Sequence, residues 1–437
     1  MAPLKKYMQP AVVLAAATAG MTSAFLLPAM RPVPAPTTVT CAARTSPLFS
    51  RSSTPSVTPA RPTKGTILSA TNFFESFFAP KSASGAGARG GKKTIVLTGT
   101  SSGLGKATLK ALCARGDNFV ICGVRDMEKM QAVAEELGLD PSSYTIRPLD
   151  LSSFASVRRF AKEVKAVKGG KPLDALVCNA AVYLPARDYP TFTPDGIEES
   201  LQINHLSHFL LVSLLLDDLK KAKDPRCVIV GSITGNDNTI AGAFVWPRAS
   251  LGDLKGMQEG AKEPVSMIDG KNFNGAKAYK DSKMCNMMTV NELHKRYHDA
   301  TGITFSSMYP GCIAETALFR EKRQWFRTLF PLFMKYVTGG YVSENEAGER
   351  LAQTVWDPAL KTSGQYWCWN GQAQQFGYYD PATKQVRGAG GSGGTVFPGK
   401  LAGQVMDQAK AEKMWELSSE ITGATWPSVG VRELANV

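Results

Sequence analysis

The chain has 437 residues, 43% hydrophobic and 20% charged, with a formal net charge of +13, the proportions of a globular protein rather than a disordered one. The charge is uneven: residues 1–93 hold eleven Lys and Arg and one acid, Glu75, whereas the remainder carries 39 basic against 36 acidic residues. So balanced a body argues against a nucleic-acid partner, eight Cys without a C-x-x-C pair and only four His argue against a zinc centre, and no apolar run is long enough to span a bilayer as a helix.

Residues 1–24 read as a signal peptide: Lys5 and Lys6, an apolar stretch over 11–19, then Thr22-Ser23-Ala24. Residues 25–92 are rich in Ser, Thr, Pro and Ala, dotted with Arg and nearly free of acid, the composition of a disordered transit peptide. The folded body is expected over 93–437. It opens with a β-branched run, 94–100, suited to a strand buried on both faces. A Gly-rich turn and a helix over 104–115 follow, then a strand over 118–124, a helix over 127–137 and a strand over 145–149. Next come a helix over 155–168, a strand over 173–179, a long helix over 196–221 and a strand over 227–232. A helix over 276–300, a strand over 304–309, a helix over 343–355, a strand over 364–369 and a closing helix over 401–421 complete the series. Repeated βαβ units predict an α/β, Rossmann-type, doubly wound parallel sheet of about seven strands in one domain. The stretch 388–394 (GAGGSGG) reads as a flexible surface loop.

The turn after the first strand is Thr98-Gly99-Thr100-Ser101-Ser102-Gly103-Leu104-Gly105. Its glycines let backbone N–H groups approach a pyrophosphate at a helix N-terminus. Strand two ends without the acid that a ribose 2′-hydroxyl would want, and Arg125 follows, suited to a 2′-phosphate. NADPH is therefore the expected cofactor. Tyr279 and Lys283, at i and i+4, share one helical face, and an ammonium there stabilises the anion of a phenol whose pKa is otherwise near ~10.

The Thr-Gly-x-x-x-Gly-x-Gly turn with Tyr-x-x-x-Lys resembles the short-chain dehydrogenase/reductase family. That resemblance implies adenine contacts at Asp150 and Leu151, a ribose-side turn at Asn179, Ala180 and Ala181, and a nicotinamide loop at Pro310-Gly311. It also implies an orienting hydroxyl at Ser232 and a proton-relay Asn at Asn204. The family's Thr falls where Glu315 stands, so adjacent Thr316 takes its place. Between Ser232 and Tyr279 the chain is longer than ordinary members, giving an insertion over 233–275 expected to form a lid or a wall of the active site. Longer stretches, among them Ala276–Asn286 (AKAYKDSKMCN), Tyr309–Ala314 (YPGCIA) and Tyr366-Trp367-Cys368-Trp369-Asn370, are similar to the light-dependent protochlorophyllide oxidoreductases. That narrower resemblance implies light-driven reduction of a C17–C18 double bond, with hydride from NADPH and a proton from Tyr279 or Cys312. It places Tyr183, Thr234, Tyr309, Cys312, Phe319 and Tyr336 at the pigment. A light-independent reductase of an apolar, retinoid-like carbonyl and an inactive pigment-binding membrane protein are the competing readings.

The 318–337 segment interleaves aromatic and basic residues, as suits a macrocycle bearing a carboxylate or an anionic membrane surface. Plastid membrane lipids, touched peripherally, and a homo-oligomer on such membranes are the expected partners besides the pigment. The leader resembles the bipartite leaders of plastids of secondary origin, which implies a plastid protein on the stromal side of thylakoid or envelope.

Overall fold

The computed structural model describes residues 91–316, 318, 321, 324–371, 378–380, 385–387 and 390–428. The expected leader, apart from residues 91 and 92, lies outside them. Strand β1 (Lys93–Thr98) opens the body, followed by α1 (Gly103–Ala114), β2 (Asn118–Val124), α2 (Met127–Glu136), β3 (Tyr144–Pro148) and α3 (Phe154–Lys168). Then come β4 (Ala175–Cys178), α4 (Ser207–Leu219), β5 (Arg226–Val230), α5 (Gly275–Thr301) and β6 (Thr304–Met308). The chain continues with α6 (Gln324–Phe333), α7 (Glu344–Trp356), β7 (Gln365–Trp369), the short strands β8 (Tyr378–Asp380), β9 (Gln385–Arg387) and β10 (Val396–Pro398), and α8 (Gln408–Thr422). The helix ends follow local chemistry. Asp126, Ser153, Asn274, Ser343 and Asp407 each accept a backbone N–H at the start of α2, α3, α5, α7 and α8. Left-handed glycines, Gly169, Gly302 and Gly423, end α3, α5 and α8.

The sheet order is β10-β7-β6-β5-β4-β1-β2-β3. β1 to β7 pair in parallel throughout, and β10 pairs antiparallel with β7. The expected sheet of seven strands is thus present with an eighth at its edge. β10 escapes sequence reading because it is three residues long and ends in Pro, a residue tolerated only where no ladder N–H is needed. β8 and β9 form a separate antiparallel pair.

Strand alternation divides the core into two layers. Ile95 and Leu97 pack with Leu109 and Leu112 of α1, Met130 and Val133 of α2, and Leu351 and Val355 of α7. Val96, between them, packs with Phe160 of α3, Phe209 and Leu215 of α4, Val290 and Leu293 of α5, and Trp415 of α8. Gly348 brings α7 against α1 so closely that a Cβ there would meet Ala107 at 2.5 Å. The order reverses direction between β1 and β4, which opens a crevice at the carboxyl ends of those strands, where such sheets bind ligands.

The 233–275 segment is a packed layer rather than an open lid. Ile233, Leu251, Leu254, Met257, Ala261 and Ile268 are buried against Met284, Cys285 and Met288 of α5 and against Tyr366 and Cys368 of β7. The predicted helix over 196–221 is present in part and begins irregularly: a single turn at Glu199–Leu201 passes into a π-helical turn, Gln202–Leu206, before α4. The predicted helix over 401–421 divides into a short turn, Gly403–Met406, and α8. No helix among the described residues is long and apolar enough to cross a membrane.

Candidate active site

The crevice is lined first by the glycine turn. Gly99 (φ +74°) lies against Ala180, whose Cβ a side chain at Gly99 would meet at 2.8 Å. A Cβ on Gly105 would fall 2.0 Å from the carbonyl oxygen of Gly99. Both positions therefore hold α1 close to β1 and β4. Ser102 precedes α1 in an extended conformation and makes no side-chain cap, so the first-turn N–H groups keep their capacity to bind an anion. The turn is pinned from below: the Asn179 side-chain amide donates to the carbonyls of Thr98 (2.9 Å) and Gly99 (3.3 Å). The Thr98 hydroxyl accepts the N–H groups of Asn179 (2.9 Å) and Ala180 (3.0 Å). Already an acceptor twice, it donates to Nε2 of His208 (3.0 Å), whose Nδ1–H then donates to the carbonyl of Asn204 (3.1 Å). Burial holds His208 well below the usual imidazole range, at about 3, so that this relay stays neutral.

Arg125 is exposed just after β2, and Asp126, its neighbour, spends its carboxylate on the N–H of Lys129, which leaves the guanidinium open to a phosphate. Asp150 accepts from the N–H and hydroxyl of Ser152. Leu151 is buried beside it, and its carbonyl accepts from Ser207. Across the crevice, Thr316 would stand 3.5 Å from a Cβ on Gly103, whereas Glu315 hydrogen-bonds Tyr341. The one-residue offset expected at this loop thus places the threonine at the glycine turn. An uncapped helix start, glycines with no room for side chains and a guanidinium unpaired among the described residues fit a phosphorylated dinucleotide. A cleft of about 370 Å³ runs from Thr316 to Arg327 and Thr328 of α6.

The residues expected to react stand at the same sheet edge. Lys283 is buried, and its Nζ donates to the carbonyl of Val230, the last residue of β5, at 2.9 Å. Burial lowers its pKa to about 8. Nζ lies 5.9 Å from the centre of the Tyr279 ring. Burial pushes the Tyr279 phenol up to about 12, offset in part by its hydrogen bond with Ser232. The Ser232 hydroxyl also pairs with that of Thr234 at 2.9 Å. Tyr183 covers the other side of Tyr279, ring centres 4.9 Å apart, and burial raises its phenol as well. Tyr309, Pro310, Gly311 and Cys312 follow β6. Burial raises the Tyr309 phenol far up and the half-buried Cys312 thiol to about 12, so both keep their protons at neutral pH. Asn204 sits in the π-helical turn. Its side chain pairs with both backbone groups of Val182 (2.8 and 3.0 Å) and with Ser282 (3.0 Å). Its carbonyl accepts from Asn286 and His208, so Asn204 is held by protein partners at each polar atom. Ala181 follows Ala180 into the crevice loop, half-buried.

One expected pigment contact stands apart from this group, and another cannot be placed in it. Tyr336 is 74% exposed and pairs with Lys335, while Phe319 lies outside the described residues. Sequence reading also missed a group of charged residues around Tyr279. Lys280, 3% exposed, donates to the carbonyls of Val245 and Pro247, each at 2.6 Å. Lys277 pairs with Asp269 (2.9 Å) and Asp281 (2.5 Å), and Asp281 accepts the N–H of Ser250. These side chains fasten the 233–275 layer to the helix that carries Tyr279. Charged residues on a helix ordinarily read as solvated, and only the length of the insertion hinted otherwise. Tyr366 was also missed: its buried hydroxyl has no hydrogen-bond partner among the described residues, and burial above all, then Cys368, Tyr309 and Tyr279, raises its pKa.

Residues 93–245 match the family described as short chain dehydrogenase. Among curated proteins, "Protochlorophyllide reductase, chloroplastic" of Chlamydomonas reinhardtii is 52% identical over 76% of this chain and 78% of its own length. The Cucumis sativus protein of that name is 51% identical over 76% and 80%. "Protochlorophyllide reductase A, chloroplastic" of Arabidopsis thaliana is 50% identical over 76% and 77%. Among solved structures, the NADPH-bound carbonyl reductase from chicken fatty liver covers 63% of this chain and 95% of its own, at 19% identity and a TM-score of 0.45, too remote to bear on function. Identity of about half over 76% of the chain shows that it belongs to the protochlorophyllide reductase family, built on the short-chain dehydrogenase fold.

Proposed function

We propose that this chain is a plastid enzyme that reduces protochlorophyllide with NADPH in a light-dependent step of chlorophyll synthesis. The observation that carries the reading is an intact Tyr279–Lys283–Ser232 group at the carboxyl edge of the sheet in a chain half identical, over 76% of its length, to named protochlorophyllide reductases. NADPH, when bound, supplies the hydride to one carbon of the C17–C18 bond. The neighbouring carbon takes a proton from Tyr279, which arrives protonated because burial holds its pKa near 12. Lys283, cationic below about pH 8, stabilises the phenolate left behind, and Ser232 donates to it. Solvent then restores the phenol. Cys312, also protonated at neutral pH, is the second candidate donor.

The test mixes protein, NADPH and protochlorophyllide in darkness, then fires a flash and follows absorbance. Pigment reduction only after the flash supports the reading; reduction in the dark, or none in the light, overturns it. Tyr279→Phe should slow the light-initiated turnover by about 10²-fold or more without changing NADPH affinity. Full activity in that variant would move the donor to Cys312.

The membrane contact belongs to the same reading. Trp325, Leu329, Leu332 and Tyr336 are 43%, 54%, 49% and 74% exposed and fall at i, i+4, i+7 and i+11, one side of α6 and its π-helical extension, Met334–Thr338. Phe326 is buried about a quarter turn round the helix from this stripe and stacks on Phe330 at 4.7 Å. An apolar stripe on a helix that also exposes Arg327 and Lys335 suits an anionic lipid surface, on the stromal side of a thylakoid or envelope membrane, where homo-oligomers would assemble. Leu329→Ser with Leu332→Ser should lower partition onto anionic liposomes about tenfold; unchanged partition removes the membrane from the reading. The leader over 1–24 and 25–92 would carry the chain into a plastid of secondary origin.

A further inference from the structure

The glycine-rich stretch after β9, expected to be loose, is knotted to the core. The guanidinium of Arg350 on α7 is only 4% exposed and reaches four acceptors. Nη1 donates to the carbonyl of Pro310 at 2.8 Å; Nη2 donates to Glu346 at 2.7 Å and to the carbonyls of Gly391 and Gly393 at 2.9 and 2.8 Å. Glu346, one turn earlier on the same helix, takes the N–H of Gly393 at 2.6 Å and the hydroxyl of Ser392 at 2.5 Å. Gly390 donates to the carbonyl of Trp369 at 2.9 Å, and the Trp369 ring lies 5.5 Å from the guanidinium. The glycines are there for conformation: Gly390, Gly391, Gly393 and Gly394 all have positive φ, and a Cβ on Gly394 would meet the Asn370 carbonyl at 2.1 Å. On the inner side, Gly311 (φ +116°) has room for no side chain, since a Cβ would meet Val342 at 2.4 Å and Arg350 Nη1 at 3.0 Å.

We infer that Arg350 is a positioning residue that locks the Pro310–Gly311 loop, and with it Cys312, to the strap Gly390–Gly394, so that NADPH binding and strap closure are coupled. The inference rests on the cofactor reading, which lays Pro310–Gly311 over the nicotinamide. A guanidinium shared between two loops transmits order both ways. What fixes the inner loop tightens the strap, and by linkage a strap held shut favours the cofactor by the same factor. Only the planar fork of Arg serves four acceptors in these directions, so Lys is no substitute.

The experiment measures NADPH dissociation in darkness by quenching of tryptophan fluorescence, together with subtilisin cleavage within 390–395, with and without NADPH. In the unaltered protein NADPH should slow that cleavage. Arg350→Met should weaken NADPH binding about tenfold, the loss expected from removing a buried charged hydrogen bond, and should abolish the protection. Arg350→Lys should behave like Arg350→Met to within about threefold. Glu346→Gln, at a partly exposed side chain, should speed cleavage and weaken NADPH binding about threefold; it carries the test if Arg350→Met does not fold. Unchanged NADPH affinity in a folded Arg350→Met or in Glu346→Gln overturns the inference, as does strap cleavage indifferent to NADPH. These readouts need no pigment. A protein that shows them but fails the flash assay loses its proposed substrate and keeps this lock.

Discussion

The two halves of the sheet are built by different chemistry. Around β1, β2 and β4 the crevice is shaped by backbone and small side chains: Gly99 against Ala180, Gly105 against the Gly99 carbonyl, Asn179 and Thr98 closing the turn from beneath. Around β5, β6 and β7 it is held by buried ions: Lys277, Lys280 and Asp281 fasten the 233–275 layer, and Arg350 with Glu346 fastens the strap. Under the proposed function the first half would hold the cofactor, with a glycine turn closed by residues of the β4 loop about 80 positions away. The second would face the pigment, and its walls are segments anchored by buried charges. Glycine geometry tolerates almost no substitution, whereas an ionic anchor fails by degrees.

That contrast can be attacked where the largest effect is expected. Gly105→Val places a branched side chain on the Gly99 carbonyl and should destabilise the fold by about 3 kcal/mol, with loss of NADPH binding. Equilibrium denaturation together with cofactor fluorescence checks it, and a stable variant that binds NADPH would dissolve the distinction between the halves. Lys280→Met preserves volume but strips two charge-assisted hydrogen bonds from Val245 and Pro247, a loss of about 2 kcal/mol. Hydrogen exchange should quicken in 233–275 and the KM for pigment should rise, with NADPH affinity within twofold of the parent. Equal losses of pigment and NADPH would mean that the layer supports both halves alike.

The smallest effect is the dependence on acid. Burial depresses His205 to about 4 and His208 to about 3, against 6.5 when unfolded. Below pH 6.5 the unfolded chain binds protons that the folded one refuses, so the stability these rings contribute is complete above that pH and lost as pH falls toward their folded values. Each contributes a slope of up to about 1.4 kcal/mol per pH unit. Denaturant midpoints between pH 6.5 and 4.5 should fall accordingly, and His205→Gln should remove one proton from the slope. An unchanged slope would show that His205 charges freely in the folded state.

The cofactor half was legible in the sequence because its signals are local. A β-branched run, a glycine turn and a helix follow one another within twenty residues, and Tyr279 and Lys283 are one helical turn apart. Arg125 could be read because the acid is missing from a position four residues long. Residues whose partners lie far along the chain were not legible. Lys280 meets carbonyls 33 and 35 residues away, and Arg350 meets carbonyls 40, 41 and 43 residues away. Nothing in the composition of 388–394 tells that Gly391, Ser392 and Gly393 are fastened by side chains of α7. β10 was hidden for the related reason that its pairing with β7 is set by the fold around it and not by its own three residues.

The π-helical turn at Gln202–Leu206 has a consequence for how this chain tolerates change. One extra residue is accommodated there, and it sets the angular phase of everything downstream on α4. An α-helix advances about 100° per residue. Deleting a single position in that turn would let regular α-helix run through it, keeping His208 and Phe209 in phase but withdrawing the Asn204 side chain from Val182 and Ser282. Inserting one more would swing His208 away from Thr98 and carry Phe209 and Leu215 off the side that faces α3 and α8, while the same insertion past Leu219 would merely lengthen a loop.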